Sequence, residues 1–401
     1  MYWGSDDNFK MKNQTITAIF VLVASAQFVF VLGKISLTDR AQLDFAVNLL
    51  QNVAESDRSS ILSPFSVSTS LFIAYLAADG ETKQQLQNAL GKTASTSQFR
   101  VHFGKQLAYL ARAESKNYTL NVANRLYVRE GFSTKESFQR VLNFYYKGIL
   151  HKFSFAQRNR LAQQINNWIS SQTNNKVRNM ITPNSITDDT KMLLINAIHF
   201  KGTWTTQFIN FVTKQRQFHI SENEVKMMPM MAKSDTVPYY EDDAVKVIKL
   251  PYIGDEVEMV VILPKKRFGL SDVLKNLSGE KLLKYVNEAK NRSVSIRMPK
   301  FQVREKRILN NALRAIGIKD AFNGRANFGE LLNNSIPISI GKIIHAGFIE
   351  VNEKGTESAA ATIIELEDRI GSSRNFNADE PFLFAIVKDL KTVLFIGQFV
   401  K

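Results

Sequence analysis

Few residue sets in this chain could carry chemistry, and most of them fail on spacing. The histidines at positions 102, 151, 199, 219 and 345 stand too far apart for H-E-x-x-H, and no local acidic spacing completes a metal-ligand set. Cysteine is absent, so thiolate nucleophiles, thiolate metal sites and disulfides are excluded. No two glycines are separated by one residue, which rules out a G-x-G-x-x-G loop; Gly91-Lys92-Thr93 is a G-K-T triplet, but Leu86 stands where a phosphate-binding G-x-x-x-x-G-K-[ST] loop needs its first glycine, and G-x-S-x-G does not occur. Ser278-Gly279-Glu280-Lys281 matches the acylating S-x-x-K pattern, but its companions S-D-N and K-T-G are missing. The expectation is a protein that is no enzyme and holds no metal or cofactor.

One segment has an unusual pattern. Residues 353–370 read Glu-Lys-Gly-Thr-Glu-Ser-Ala-Ala-Ala-Thr-Ile-Ile-Glu-Leu-Glu-Asp-Arg-Ile. Thr356, Ser358, Ala360, Thr362, Ile364 and Leu366 are uncharged and even-numbered, whereas Glu357, Glu365 and Glu367 are odd, as a half-buried strand requires. Past Gly355, Asp368 is the first violation. Small residues at 358–361 would let such a strand slide between existing strands, and Gly355 permits a bend at its root. No proline lies between Pro337 and Pro381, so the stretch keeps every ladder donor that a central strand needs. A surface Ala/Thr loop with accidental parity fits the same residues.

The surrounding elements read as α+β. Helical spacing appears at Leu43, Val47 and Leu50, with Thr38 as a cap; over residues 67–78; from Thr82 to Gly91 through Leu86 and Leu90; and at Leu161, Ile165, Trp168 and Ile169. Strand-like runs cover 120–128, 193–200, 257–263, 336–351, 382–387 and 392–396. Helices cluster early and strands late, which suits α+β better than alternating βαβ units. With 401 residues, 44% hydrophobic, and no linker or repeat, the chain divides into an N-terminal extension (1–33) and one domain (34–401).

Within the extension, Lys10 and Lys12 precede an apolar run over 16–32 containing Ala24-Ser25-Ala26, the pattern of a cleaved secretory signal starting at Met1 or Met11; an uncleaved anchor is the alternative. Sequons at Asn117, Asn276, Asn291 and Asn333 suit a secreted glycoprotein. A formal charge of +15 permits attraction to a polyanion such as glycosaminoglycan. The only tight basic groups, Lys265-Lys266-Arg267 and Lys300, Arg304, Lys306 and Arg307, read as solvated faces.

Residues 348–357, Phe-Ile-Glu-Val-Asn-Glu-Lys-Gly-Thr-Glu, followed by Ser-Ala-Ala-Ala-Thr, resemble the hinge signature of the serpins. Ile61-Leu62-Ser63-Pro64-Phe65-Ser66, the run from Asn196 to Trp204, Met298-Pro299-Lys300-Phe301 and Pro381-Phe382-Leu383-Phe384 are similar to serpin segments in serpin order, so the likeness covers about residue 38 to the end. Lys354 in place of a second acid, Gly347 in place of alanine, and no Asn-Pro after Val400 are departures. The resemblance implies a fold of three β-sheets and about nine helices, with an exposed reactive loop at about 353–376 that inserts into a sheet after cleavage. It implies a hinge of Glu353, Gly355, Thr356, Glu357, Ser358, Ala359, Ala360, Ala361 and Thr362, and a shutter of Ser63, Ser66, Asn196 and His345. Counting from Glu353 in the family's manner places the reactive bond at Arg369-Ile370, with Arg374 as runner-up. The expected protein is a secreted, monomeric inhibitor of trypsin-like serine proteases with no nucleic-acid partner. The alternative is a non-inhibitory serpin acting as carrier, storage protein or chaperone.

Overall fold

The computed structural model describes residues 35–92, 94–111, 118–146, 149–333, 337–356 and 374–401. Nine α-helices lie among the described residues: α1 (Leu37–Gln51), α2 (Pro64–Ala77), α3 (Gly80–Gly91), α4 (Thr96–Ala111), α5 (Glu136–Tyr146), α6 (Arg158–Gln172), α7 (Leu270–Lys275), α8 (Gly279–Glu288) and α9 (Asn310–Ala315). The strands among them are β1 (Ser60–Leu62), β2 (Tyr118–Arg129), β3 (Leu150–Phe153), β4 (Met192–Thr203), β5 (Lys214–His219), β6 (Val225–Glu241), β7 (Val245–Pro251) and β8 (Val257–Pro264). After these come β9 (Lys290–Pro299), β10 (Phe301–Ile308), β11 (Ile340–Asn352), β12 (Gly355–Thr356), β13 (Arg374–Asn377), β14 (Phe382–Lys388) and β15 (Thr392–Phe399).

Local chemistry moves several expected boundaries. Helix α2 starts three residues before the apolar run because Ser63 caps it, accepting from the Ser66 N–H at 3.1 Å, and Pro64 fills the first turn, where no donor is needed. Every residue of α2 is buried, so this helix runs through the core. Thr38 lies inside α1 and not at its cap, since the helix already begins at Leu37. Gly80 opens α3, and Thr82, expected there, accepts instead from the Asn327 N–H at 2.9 Å. Strand β11 begins only at Ile340.

Hydrogen bonding joins the strands into a six-stranded sheet, ordered β10-β11-β12-β4-β2-β3 with β11 also pairing β4, and a nine-stranded network. The long strand β6 is shared within that network. It pairs with β9 over Met230–Tyr239 and with β5 before that, but meets β7 only over Tyr239–Glu241. Divided there, the network makes two sheets, giving three among the described residues.

Two cores flank the sheets and a third lies under α6. Leu161, Ile165 and Ile169 of α6 share a core with Tyr127, Ile195, Ala197, Ile344 and Phe348, and the helix packs over β2 and β4 of the six-stranded sheet. Residues Leu37–Lys401 pack as one unit. Among the described residues no helix is long and apolar enough to cross a membrane, and the apolar run at 16–32 lies outside them.

Candidate functional site

Strands β4 and β11 run parallel and pair from Ile340↔Met192 to Phe348↔His199. Beyond that point they part, and β12 occupies the fork between them. Gly355 and Thr356 pair with Thr203 and Gly202 of β4 on one side, and with Asn352 and Val351 of β11 on the other, antiparallel to both. Only glycine suits position 355: its φ is +144°, and a Cβ there would stand 2.2 Å from the Gly202 carbonyl oxygen. Thr356 is fully buried, with its Oγ1 2.7 Å from the Tyr252 hydroxyl.

Around the fork the contacts are close. Trp204, buried and stacked on Tyr252 at 4.4 Å between centroids, donates its indole N–H to the Asn352 carbonyl at 2.9 Å. The backbone N–H groups of Trp204 and Phe208 donate to the carbonyls of Lys354 and Glu353. The Glu353 carboxylate meets the Lys300 ammonium at 3.1 Å and accepts from the Thr213 hydroxyl at 2.9 Å. Burial alone would raise its pKa, but hydrogen bonds from its own backbone N–H, Lys300 and Thr213 outweigh that and hold the carboxyl below its ordinary value.

Lower on the same sheet, three polar side chains stand in one row across neighbouring strands: Asn124 on β2, Asn196 on β4 and His345 on β11. Asn196 donates to the Asn124 side-chain carbonyl at 2.6 Å and to both oxygens of Ser66, and its own carbonyl lies 2.6 Å from His345 Nδ1. His345 Nε2 accepts the Ser63 backbone N–H at 3.1 Å, so the ring proton sits on Nδ1 and is donated to Asn196. Ser63 Oγ donates to the Leu394 carbonyl at 2.6 Å. All these groups are buried, and complete burial pushes the His345 pKa down to about 3, so the ring is neutral. The Asn196–His345 bond crosses the line between β4 and β11. A strand entering there would move the two apart by about 4.8 Å and break it.

The structure thus brings together the four shutter candidates and the first three hinge candidates. Glu357, Ser358, Ala359, Ala360, Ala361, Thr362, Arg369, Ile370 and Asn117 lie outside the described residues. Asn276, Asn291 and Asn333 are exposed. Arg374 is held in β13, paired with β9, with its guanidinium on Glu241 at 3.4 Å. Both basic groups are largely spoken for: Lys265 meets Glu241, Lys266 Asp272, Arg267 Asp379, Lys300 Glu353 and Arg307 Glu55. Sequence reasoning missed Asn124, whose side chain donates to Thr69 at 3.2 Å, and also Lys300, Thr213 and Tyr252 at the hinge. Asn124 did carry a signal: it is the polar member of the even row Leu120, Val122, Leu126, Val128 in a strand already legible.

A family model described as "Serpin (serine protease inhibitor)" matches residues 40–401. The chain belongs to the serpin family. Serine protease inhibitor 42Dd of Drosophila melanogaster is 30% identical to it over 354 residues, covering 88% of this chain and 93% of that one. Among solved structures, Serpin48 of the insect Tenebrio molitor, described as a highly specific serpin, matches with a TM-score of 0.82 and 26% identity over 91% of this chain and 98% of that one. A thyroxine-binding globulin in complex with thyroxine shares the fold at a TM-score of 0.80 and 23% identity, over 90% of this serpin and 98% of that chain. Family membership brings protease inhibition as the general activity and a serine protease as the general class of partner. The globulin binds thyroxine on the same fold, so the fold alone does not decide what a given member does.

Proposed function

We propose that this serpin is a suicide-substrate inhibitor of trypsin-like serine proteases, cleaved at Arg369-Ile370. The observation that carries the reading is Thr356: the first even-numbered residue past the Gly355 bend already lies buried between β4 and β11, paired with both. The protease serine attacks the Arg369 carbonyl, the amine of Ile370 departs, and an ester joins the two proteins. A guanidinium suits the carboxylate at the base of a trypsin-like specificity pocket. Residues after Thr356 then follow it down the line between β4 and β11. One parallel pairing is replaced by two antiparallel ones, and the small even-numbered side chains leave water. Insertion that outruns ester hydrolysis traps the enzyme. Loop insertion that releases stored strain is the general inhibitory mechanism of serpins.

Arg374 is a poorer reactive residue, because a protease would have to strip β13 from β9 to reach its backbone. Cleavage of a secretory signal within residues 1–33, an extracellular monomer and glycans at Asn276, Asn291 and Asn333 complete the proposal; the exposure of those three asparagines supports the glycans.

Incubation with trypsin tests the core of it. The expected result is an SDS-stable complex and a released peptide beginning at Ile370. A peptide beginning at Asn375 would move the bond to Arg374, and cleavage with no stable complex would favour the carrier, storage or chaperone alternative. Sequencing the N-terminus of secreted protein tests the signal.

A further inference from the structure

In four strands of the nine-stranded network the core-facing row ends in a charged residue, and the four ends share one opening. On β9 the row runs Ile296, Val294, Arg292; on β13, Phe376, Arg374; on β7, Ile248, Lys246; on β6, Val237, Tyr239, Glu241. The apolar members are buried in the core between sheets. The terminal residues line a cavity of about 610 Å³.

Its charge is unbalanced. Glu241, the one carboxylate in the lining, already accepts from the Tyr239 hydroxyl at 2.7 Å and meets Lys265 at 3.1 Å and Arg374 at 3.4 Å. Those bonds, the Tyr239 hydroxyl first, hold its carboxyl below the ordinary range, so it stays ionised. Lys246 reaches the Asn375 carbonyl at 3.3 Å and Arg292 the carbonyl of Asn291 at 3.0 Å; among the described residues neither forms an ion pair. Three cations mounted on paired strands therefore face one concavity with a single, shared carboxylate. The adjoining cavity is different, because Asp242, Asp243 and Glu288 there restore the balance. A long polyanion running out of the first cavity would meet those carboxylates; a compact anion would not.

We propose that this cavity binds a compact, doubly charged oxyanion, a sulfate or phosphate group, with room for a carrier the size of a disaccharide. Arg292 and Arg374 supply planar donors to its oxygens and Lys246 a point charge. This narrows the polyanion attraction allowed by the net charge to one place and one size of ligand.

Calorimetric titration with two probes, a trisulfated heparin disaccharide and inorganic sulfate, tests it on the full serpin without any protease, so the outcome is independent of the inhibitory reading. Binding of either probe that weakens at least tenfold in Arg292→Glu and in Lys246→Gln, but not in the control Lys266→Glu, supports the site. Loss with the disaccharide alone identifies a sulfated sugar as the source, and equal loss with both a free anion. No binding of either probe, or binding unchanged in the two variants, overturns the proposal. Lys246→Gln removes the charge while keeping most of the half-buried stem and a hydrogen-bond donor for the Asn375 carbonyl, so it stays informative if Arg292→Glu fails to fold.

Discussion

Acidification from about pH 7.5 to pH 5 should destabilise this serpin by about 2 kcal/mol through His345 alone. In the folded protein the ring cannot take a second proton easily: it is fully buried, and its Nε2 already accepts the Ser63 N–H, so a proton there would face another N–H. Its pKa is pushed down to about 3, whereas in the unfolded chain it returns to about 6.5. Between those values the unfolded chain binds the proton and the folded one does not. The contribution is therefore whole above about pH 6.5 and falls as the pH drops toward 3, by about 1.4 kcal/mol per unit and about 5 kcal/mol in total. The assay is guanidinium unfolding of wild type and His345→Gln at half-unit steps from pH 5 to 7.5. An amide side chain keeps a donor for Asn196 and an acceptor for Ser63 but does not titrate, and Glu353 and the other carboxylates contribute equally to both proteins. Wild type should lose about 2 kcal/mol more than the variant over that range. Parallel pH profiles would refute the assignment.

Thr356→Arg should turn the inhibitor into a substrate: an unpaired guanidinium in the fully buried site beside Tyr252 costs several kcal/mol on insertion and nothing on the initial attack, so trypsin should cleave at Arg369 with little stable complex. Retention of the wild-type stoichiometry of inhibition would count against insertion. Gly355→Ala should cost about 1–3 kcal/mol, because its Cβ would meet the Gly202 carbonyl in a backbone conformation that side chains avoid; an unchanged melting temperature would mean that the stub does not occupy the fork in solution. Nicking the loop should raise the melting temperature, since the freed strand completes two antiparallel ladders, and an equal or lower value would favour a non-inhibitory member.

What the sequence revealed tracks how local each determinant is. Parity alone turned Thr356 inward, and a single glycine before it marked the bend, because strand periodicity and left-handed backbone are properties of adjacent residues. The likeness to serpins supplied Ser63, Ser66, Asn196 and His345 as a group; no local pattern joins Asn196 to His345, which stand 149 residues apart. Glu353 is the hinge acid that the serpin likeness implies, yet its partner Thr213 lies 140 residues away and nothing about either residue type announces the pairing. Helix α4 carries a regular buried row at Phe99, Phe103 and Leu107 that was there to be read. Strand β6 was not, because exposed and buried positions succeed one another irregularly as it passes between sheets, so neither period dominates.

The stacked pair at the fork gives the molecule an optical reporter of its own state. The chain has three tryptophans, and Trp204 is the one wedged beside β12, dry and face to face with Tyr252, while Trp168 rides on α6 with the Arg125 guanidinium 4.2 Å from its ring. Any strand passing the fork must slide along the first indole, and a sheet opening beside β4 must disturb α6, which packs over β2 and β4, so the two emitters sense one motion from different heights. With the other emitters replaced by phenylalanine in turn, stopped-flow emission would time how fast the sheet opens at its mouth and how long afterwards the opening reaches the middle, without attaching a dye.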